Sequence, residues 1–227
     1  MSELIVALPY GAVSPDEGVE KRLERFEAVR FDEPVIFPKP RVIGRIANRE
    51  AFSAPHDHRG DFRLPFSIDP TKAEVKYEIP PGLAQLQEAI EIIAKHEHGN
   101  FPHEQRPAPT QADATIDQSI VEPGETQRGD RIHLDGHMGR WENIYLVSSS
   151  SPTEFFWTDE PACLKFRGMG LSGEIEKEGL EGPYVPGDYE IVLANSTVPH
   201  ASPVVQEGGP RTFLRVAYEH SLEITGN

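Results

Sequence analysis

Cysteine is almost absent: Cys163 is the only one in 227 residues, which excludes an intrachain disulfide and the stapled secreted scaffolds that depend on them. Its nearest basic neighbour is Lys165, so it reads as a packing residue and not as an activated nucleophile. Long apolar runs are missing as well. The run Leu4 to Leu8 falls far short of the roughly 20 residues that cross a bilayer, and no basic-then-apolar export signal opens the chain. No membrane partner and a cytoplasmic location are therefore expected. Positive charge is scarce too, with 22 Lys and Arg against 37 Asp and Glu, a net charge of −15, and no basic block. Nothing here would track a phosphate backbone, so nucleic acid is not an expected partner.

The length suits one domain spanning 1–227, with the first half, 1–114, as helical and irregular support and 115–220 as the core. Ser14 and Pro15 open a helix predicted to Val29, with Val19, Leu23 and Phe26 as its apolar stripe. Short strands are expected at 35–37 and 41–43 between prolines, a loop at 51–70, and a half-exposed strand at 72–79. A second helix is expected from about Leu83 to Glu97, stopped by Gly99, followed by a polar connection at 100–114. Thereafter eight short alternating segments separated by turn residues, at 116–122, 130–135, 143–148, 154–158, 164–167, 189–195, 199–205 and 211–220, predict a mainly β jelly roll. The supporting helices would come from the N-terminal half.

Within this pattern, His133 and Asp135 stand two apart in an alternating run, so on a strand both face one side while Ile132 and Leu134 face the other. A local hydrogen bond between them would account for such a pair equally well. His200, 65 residues beyond Asp135 in a proline-flanked turn, supplies a third candidate ligand. Two histidines and one carboxylate suit a non-haem Fe(II) that must keep positions open. Further on, Arg211, Phe213, Arg215 and Ala217 share one face of a strand whose other face is apolar. An arginine aimed inward needs an anion, and its planar fork matches a carboxylate, whether of a ligand or of a core Asp or Glu.

Taken together, His133-x-Asp135, the distant His200 and Arg211 eleven residues later resemble the Fe(II)/2-oxoglutarate-dependent oxygenases, over roughly Ile116 to Glu219. Ile144-Tyr145-Leu146 followed by Pro152-Thr153-Glu154-Phe155-Phe156 is similar to a passage of the prolyl-hydroxylase-like group, and Pro186-Gly187-Asp188 and Gly209-x-Arg211 match its end. Ser151-Pro152 replaces the two glycines of that passage. The resemblance implies a double-stranded β-helix, with Fe(II) held by His133, Asp135 and His200. It implies 2-oxoglutarate as cosubstrate, tied through its far carboxylate to Arg211 and touched by Thr153 and Tyr145. The implied reaction consumes O2, converts 2-oxoglutarate to succinate and carbon dioxide, and hydroxylates a C–H bond of a small, amino-acid-like substrate. The carboxylate at Asp135 argues against halogenation, for which the family opens that position.

Arg215 lies four residues and roughly 13 Å along the same wall as Arg211, so it is expected to meet an acidic group of the substrate, with a structural salt bridge as the competing role. Three alternatives stay open: a cupin-type metal enzyme that does not use 2-oxoglutarate, a hydroxylase acting on a protein or nucleic acid, and a non-catalytic binding jelly roll. Asp135-x-His137 with Glu142 is faintly similar to the first cupin motif, although His137 reads better as a loop residue near the mouth. His56 and His58, and His96 and His98 with His103, have ligand-capable spacing but read as solvated histidines.

Overall fold

The computed structural model describes residues 2–7, 36–55, 60–69, 72, 74–99, 109–126, 131–134, 141–163, 166–167, 174–195 and 198–220. In chain order the strands are β1 (Ser2–Ala7), β2 (Arg41–Arg45), β3 (Gly60–Arg63), β4 (Phe66–Asp69), β5 (Glu74–Ile79), β6 (Pro109–Val121) and β7 (Trp141–Ser148). There follow β8 (Glu154–Trp157), β9 (Phe166–Arg167), β10 (Glu174–Ile175), β11 (Glu181–Tyr184), β12 (Glu190–Asn195), β13 (His200–Ala201) and β14 (Gly209–His220). The expected mainly β jelly roll is the fold observed.

Its major sheet has six strands in the order β2-β12-β7-β14-β6-β3, every pair antiparallel. Opposite it stands a minor sheet built on β11-β8-β13. Two reciprocal backbone bonds between His133 and His200, of 2.9 and 3.0 Å, add the segment 131–134 to β13. Ile175 N donates to Ile132 O at 2.8 Å and brings in the β10-β9 ribbon. A third sheet, β1-β5-β4, lies with the helix Gln87–Gly99 on the outer side of the major sheet.

Alternation divides the apolar residues among three cores. On β7, Ile144 and Leu146 point between the sheets with Phe155, Val192, Val198 and Ala217, whereas Tyr145 and Val147 point outward. The outward residues join Leu214, Val216 and Tyr218 of β14 and Ile90, Ile93 and Ala94 of the helix. Ile132, Leu134, Phe156 and Ala201 form a smaller core behind the minor sheet, closed by Phe37. Phe37 is anchored there by its N–H to Thr158 Oγ1 and by Thr158 N–H to its carbonyl. Each large side chain so buried contributes about 1.5–3 kcal/mol relative to exposure.

Several boundaries differ from those the sequence suggests. The stretch 51–70 contains β3 and β4 besides turns, and β6 starts at Pro109, inside the expected polar connection. Its first turns read Gln111-Ala112-Asp113-Ala114, where alanine is too weakly apolar to announce a strand. The division at residue 114 is therefore not one between helical support and β core, since β2 and β3 are members of the major sheet. The predicted helix from Pro15 to Val29 and the strand residue Val35 lie outside the described residues. Cys163, expected to be a packing residue, is exposed. Among the described residues no helix is long and apolar enough to cross a membrane, which says nothing of membrane-spanning strands.

His96 and His98, expected to be solvated, are half-buried and buried respectively. The Arg41 guanidinium donates to His96 Nε2 at 2.9 Å, so Nδ1 carries the proton and donates to Tyr145 Oη at 3.0 Å. Tyr145 in turn donates to Glu97 Oε2 at 2.6 Å, and Asn143 Nδ2 donates to the same carboxylate at 2.9 Å. Glu97, only 1% exposed, accepts from these two neutral donors, and the helix is fixed to β7 by a chain of bonds running in one direction. His98 meets Tyr77 Oη at 2.7 Å, which also meets Tyr218 Oη at 2.8 Å; burial first, and the Glu97 charge further, push both phenols up.

Burial first, and the Arg41 charge second, lower His96 to about 4. Between an unfolded value near 6.5 and a folded one near 4 the unfolded chain binds the extra proton, so this site's contribution is full above about pH 6.5 and lost as pH falls towards about 4. Urea midpoints across that window are expected to fall more steeply for the wild type than for His96→Gln. Parallel curves would remove His96 as the source.

Candidate active site

The site begins with a pair of strand residues placed opposite each other. His133 and His200 form a reciprocal hydrogen-bonded pair directly opposite each other, so both side chains leave the same face of the minor sheet. Their neighbours Ile132, Leu134 and Ala201 point the other way, into the small rear core. The two rings stand 4.4 Å apart between centroids with planes at 54°. Each Nδ1 lies 2.9 Å from a backbone carbonyl two residues earlier, Arg131 O for His133 and Val198 O for His200. A carbonyl only accepts, so both Nδ1 atoms carry hydrogen and the neutral rings hold their lone pairs on Nε2. Two imidazoles with fixed tautomers on one face are a metal-ready arrangement.

Asp135, the expected third ligand, lies outside the described residues, as do His56, His58, His103 and His137. Among the described residues no group of three or more His, Cys, Asp or Glu is gathered to hold a metal.

The histidines share one pocket with Asp117, Leu146, Thr153, Arg211, Phe213 and Arg215. Arg211 is 4% exposed; its Nε donates to Ser150 O at 3.2 Å, and its guanidinium carbon stands 5.0 Å over the Phe213 ring. The turn that supplies Ser150 is bound to β14 on both sides, with Ser149 N donating to Thr212 O and Thr212 N to Ser149 Oγ. Ser151, where the oxygenase pattern has glycine, adopts φ of 47°, the left-handed conformation glycine takes most easily. Thr153 follows, 9% exposed, and lines the pocket.

Tyr145 does not. Leu146 is the β7 residue in the pocket, so its neighbour Tyr145 must leave by the opposite face, where it is fully buried against the helix and bonded to Glu97. The expected cosubstrate contact at Tyr145 is therefore corrected to a structural one.

Arg215 does line the pocket, half-buried, on the face it shares with Arg211. Asp117 was not foreseen: its only signal is the alternation of β6, which does not say which face meets the pocket.

No protein-family model matches the chain, and no curated protein matches it. Solved structures that resemble it include an oxidoreductase of the 2OG-Fe(II) oxygenase family from Burkholderia pseudomallei, 13% identical over 96% of this chain and 85% of that one, with a TM-score of 0.31. HygX from Streptomyces hygroscopicus, with nickel and 2-oxoglutarate bound, is 14% identical over 97% and 83%, with a TM-score of 0.32. RmlC from Streptococcus suis in complex with dTDP-D-xylose is 12% identical over 84% and 76%, with a TM-score of 0.28. Similarity of this order assigns no role to any residue of this chain.

Proposed function

We propose that the protein is an Fe(II)- and 2-oxoglutarate-dependent dioxygenase that hydroxylates a small, amino-acid-like molecule. The observation that carries this is the placement of His133 and His200, with their Nε2 lone pairs, in one pocket with the buried Arg211. These donors fit the group: two neutral imidazoles suit a divalent iron, and an inward guanidinium suits the far carboxylate of a keto diacid. His133 and His200, with Asp135, would hold the metal, and Arg211 with Thr153 would hold the cosubstrate. Bound there, iron and cosubstrate supply the oxidising chemistry, in which O2 and 2-oxoglutarate become succinate, carbon dioxide and one oxygen atom on the substrate.

The chain's own residues bind and orient. The backbone bonds at both Nδ1 atoms keep each imidazole aimed, Leu146 and Phe213 give the pocket apolar walls, and Arg215 receives the substrate's acidic end.

Anaerobic titration tests the reading. Fe(II) alone is expected to bind without visible colour, and adding 2-oxoglutarate is expected to bring up a weak visible charge-transfer band. Bound iron with no band at saturating 2-oxoglutarate would favour a cupin-type metal enzyme, and no bound iron at all would remove the metal site.

A further inference from the structure

The pocket holds a charged side chain to which the oxygenase reading above assigns no part in metal or cosubstrate binding, and on that reading it names the class of substrate. Every odd residue of β6 from Gln111 to Ser119 is polar and half-buried, while Ala112, Ala114 and Ile116 are sealed in the outer core. The inner face of β6 is therefore a polar wall and not packing. Register places Asp117 directly opposite Phe213, with Arg211 and Arg215 at its two diagonal positions on β14. Diagonal neighbours of this kind stand about 7–8 Å apart, within reach of long side chains or of one small molecule between them.

The other acids of this wall are engaged. Asp113 pairs with Arg63 at 3.6 Å and accepts from Gln111, and Asp61 accepts from Thr115. Asp117 differs from them: among the described residues its carboxylate takes part in no hydrogen bond and no ion pair within 4.0 Å, with Arg211 and Arg215 or any other group. A half-buried carboxylate without a partner is costly, and here it also repels the dianionic cosubstrate that Arg211 attracts. A cation bound beside it relieves both effects. With Arg211 assigned to the cosubstrate, Arg215 and Asp117 are the other charged side chains among the described residues that line the pocket.

We propose that Asp117 docks a protonated amino group of the primary substrate, which with its acidic group at Arg215 makes that substrate a free amino acid. N-acylation or esterification would each remove one of the two charges that the pocket reads.

The test uses the full chain, loaded anaerobically with Fe(II) and 2-oxoglutarate and titrated by calorimetry. The probes are free α-, β- and γ-amino acids, each with its N-acetyl and methyl ester counterparts. At least one free amino acid is expected to bind, and its N-acetyl form about ten-fold or more weaker, as for loss of a charge-assisted contact. Asp117→Asn is expected to erase the preference for the free amine, and Arg215→Gln the preference for the free acid. The affinity of Asp117→Asn for 2-oxoglutarate should be tighter, because the repulsion is removed, which a merely structural role would not produce. Equal binding of free and N-acetyl forms overturns the proposal, as does discrimination that survives Asp117→Asn, or silence across the panel while metal and cosubstrate bind. If the wild type takes up neither Fe(II) nor 2-oxoglutarate, the oxygenase reading has failed first and the proposal falls with it.

Discussion

Arg211→Ala is expected to weaken 2-oxoglutarate by about 30-fold or more while Fe(II) binding stays intact. The side chain is 4% exposed, held at Nε by Ser150 O and stacked over Phe213, so its fork is fixed in the pocket before any anion arrives. Removing one partner of a desolvated, two-pronged charge contact commonly costs ~2–5 kcal/mol, part of it the stranded carboxylate left behind. Arg211→Lys should recover only part of the loss, because lysine keeps the charge but not the planar fork. Calorimetric titration of the iron-loaded variants decides the matter. An unchanged dissociation constant would take Arg211 out of cosubstrate binding and leave it as a brace for the Ser148–Ser151 turn.

His200→Ala and His133→Ala are each expected to lose nearly all bound iron. Their rings stand side by side because the two residues are a direct cross-strand pair, each with a fixed tautomer, so neither ring can stand in for the other. Asp135→Ala is expected to act in the same direction. Iron content after dialysis, read beside circular dichroism to establish folding, is the measurement. Stoichiometric iron retained in folded His200→Ala would move the site to another cluster. His96 is no longer a candidate for it, since Arg41 and Tyr145 occupy both its nitrogens.

Much of the pocket was legible in the sequence, and the reason is periodicity. The two-residue period set His133 on the face opposite Ile132 and Leu134, and it placed Arg211 and Arg215 together without any knowledge of the sheets, whereas the face His133 shares with His200 follows from their pairing. The same rule, applied one step further, separates Tyr145 from Leu146; the likeness to a family passage overrode it there and led to the wrong face. Asp117 escaped notice because alternation on β6 marks two faces but not which of them meets the ligand. That depended on the pairing of β6 with β14, a contact across almost a hundred residues of chain. Glu97 and His98 escaped for a different reason. On a helix, polar residues normally mark the solvent side, and here the buried tyrosines and Asn143 that face them help to make their interior position tolerable. The strands of the 51–70 region carry single aromatic or aliphatic residues between charges, too little pattern to rise above loop.

The two backbone bonds that join His133 to His200 also set what kinds of inherited change the protein can absorb. Residues between the two histidines can be added or removed in turns without disturbing the pair. Within 131–134 or 200–201, however, the loss or gain of one residue would turn every side chain over. The imidazole of the strand so changed would then enter the oily layer behind the sheet. Drift by point substitution therefore remains open along these strands, while drift by length change is closed.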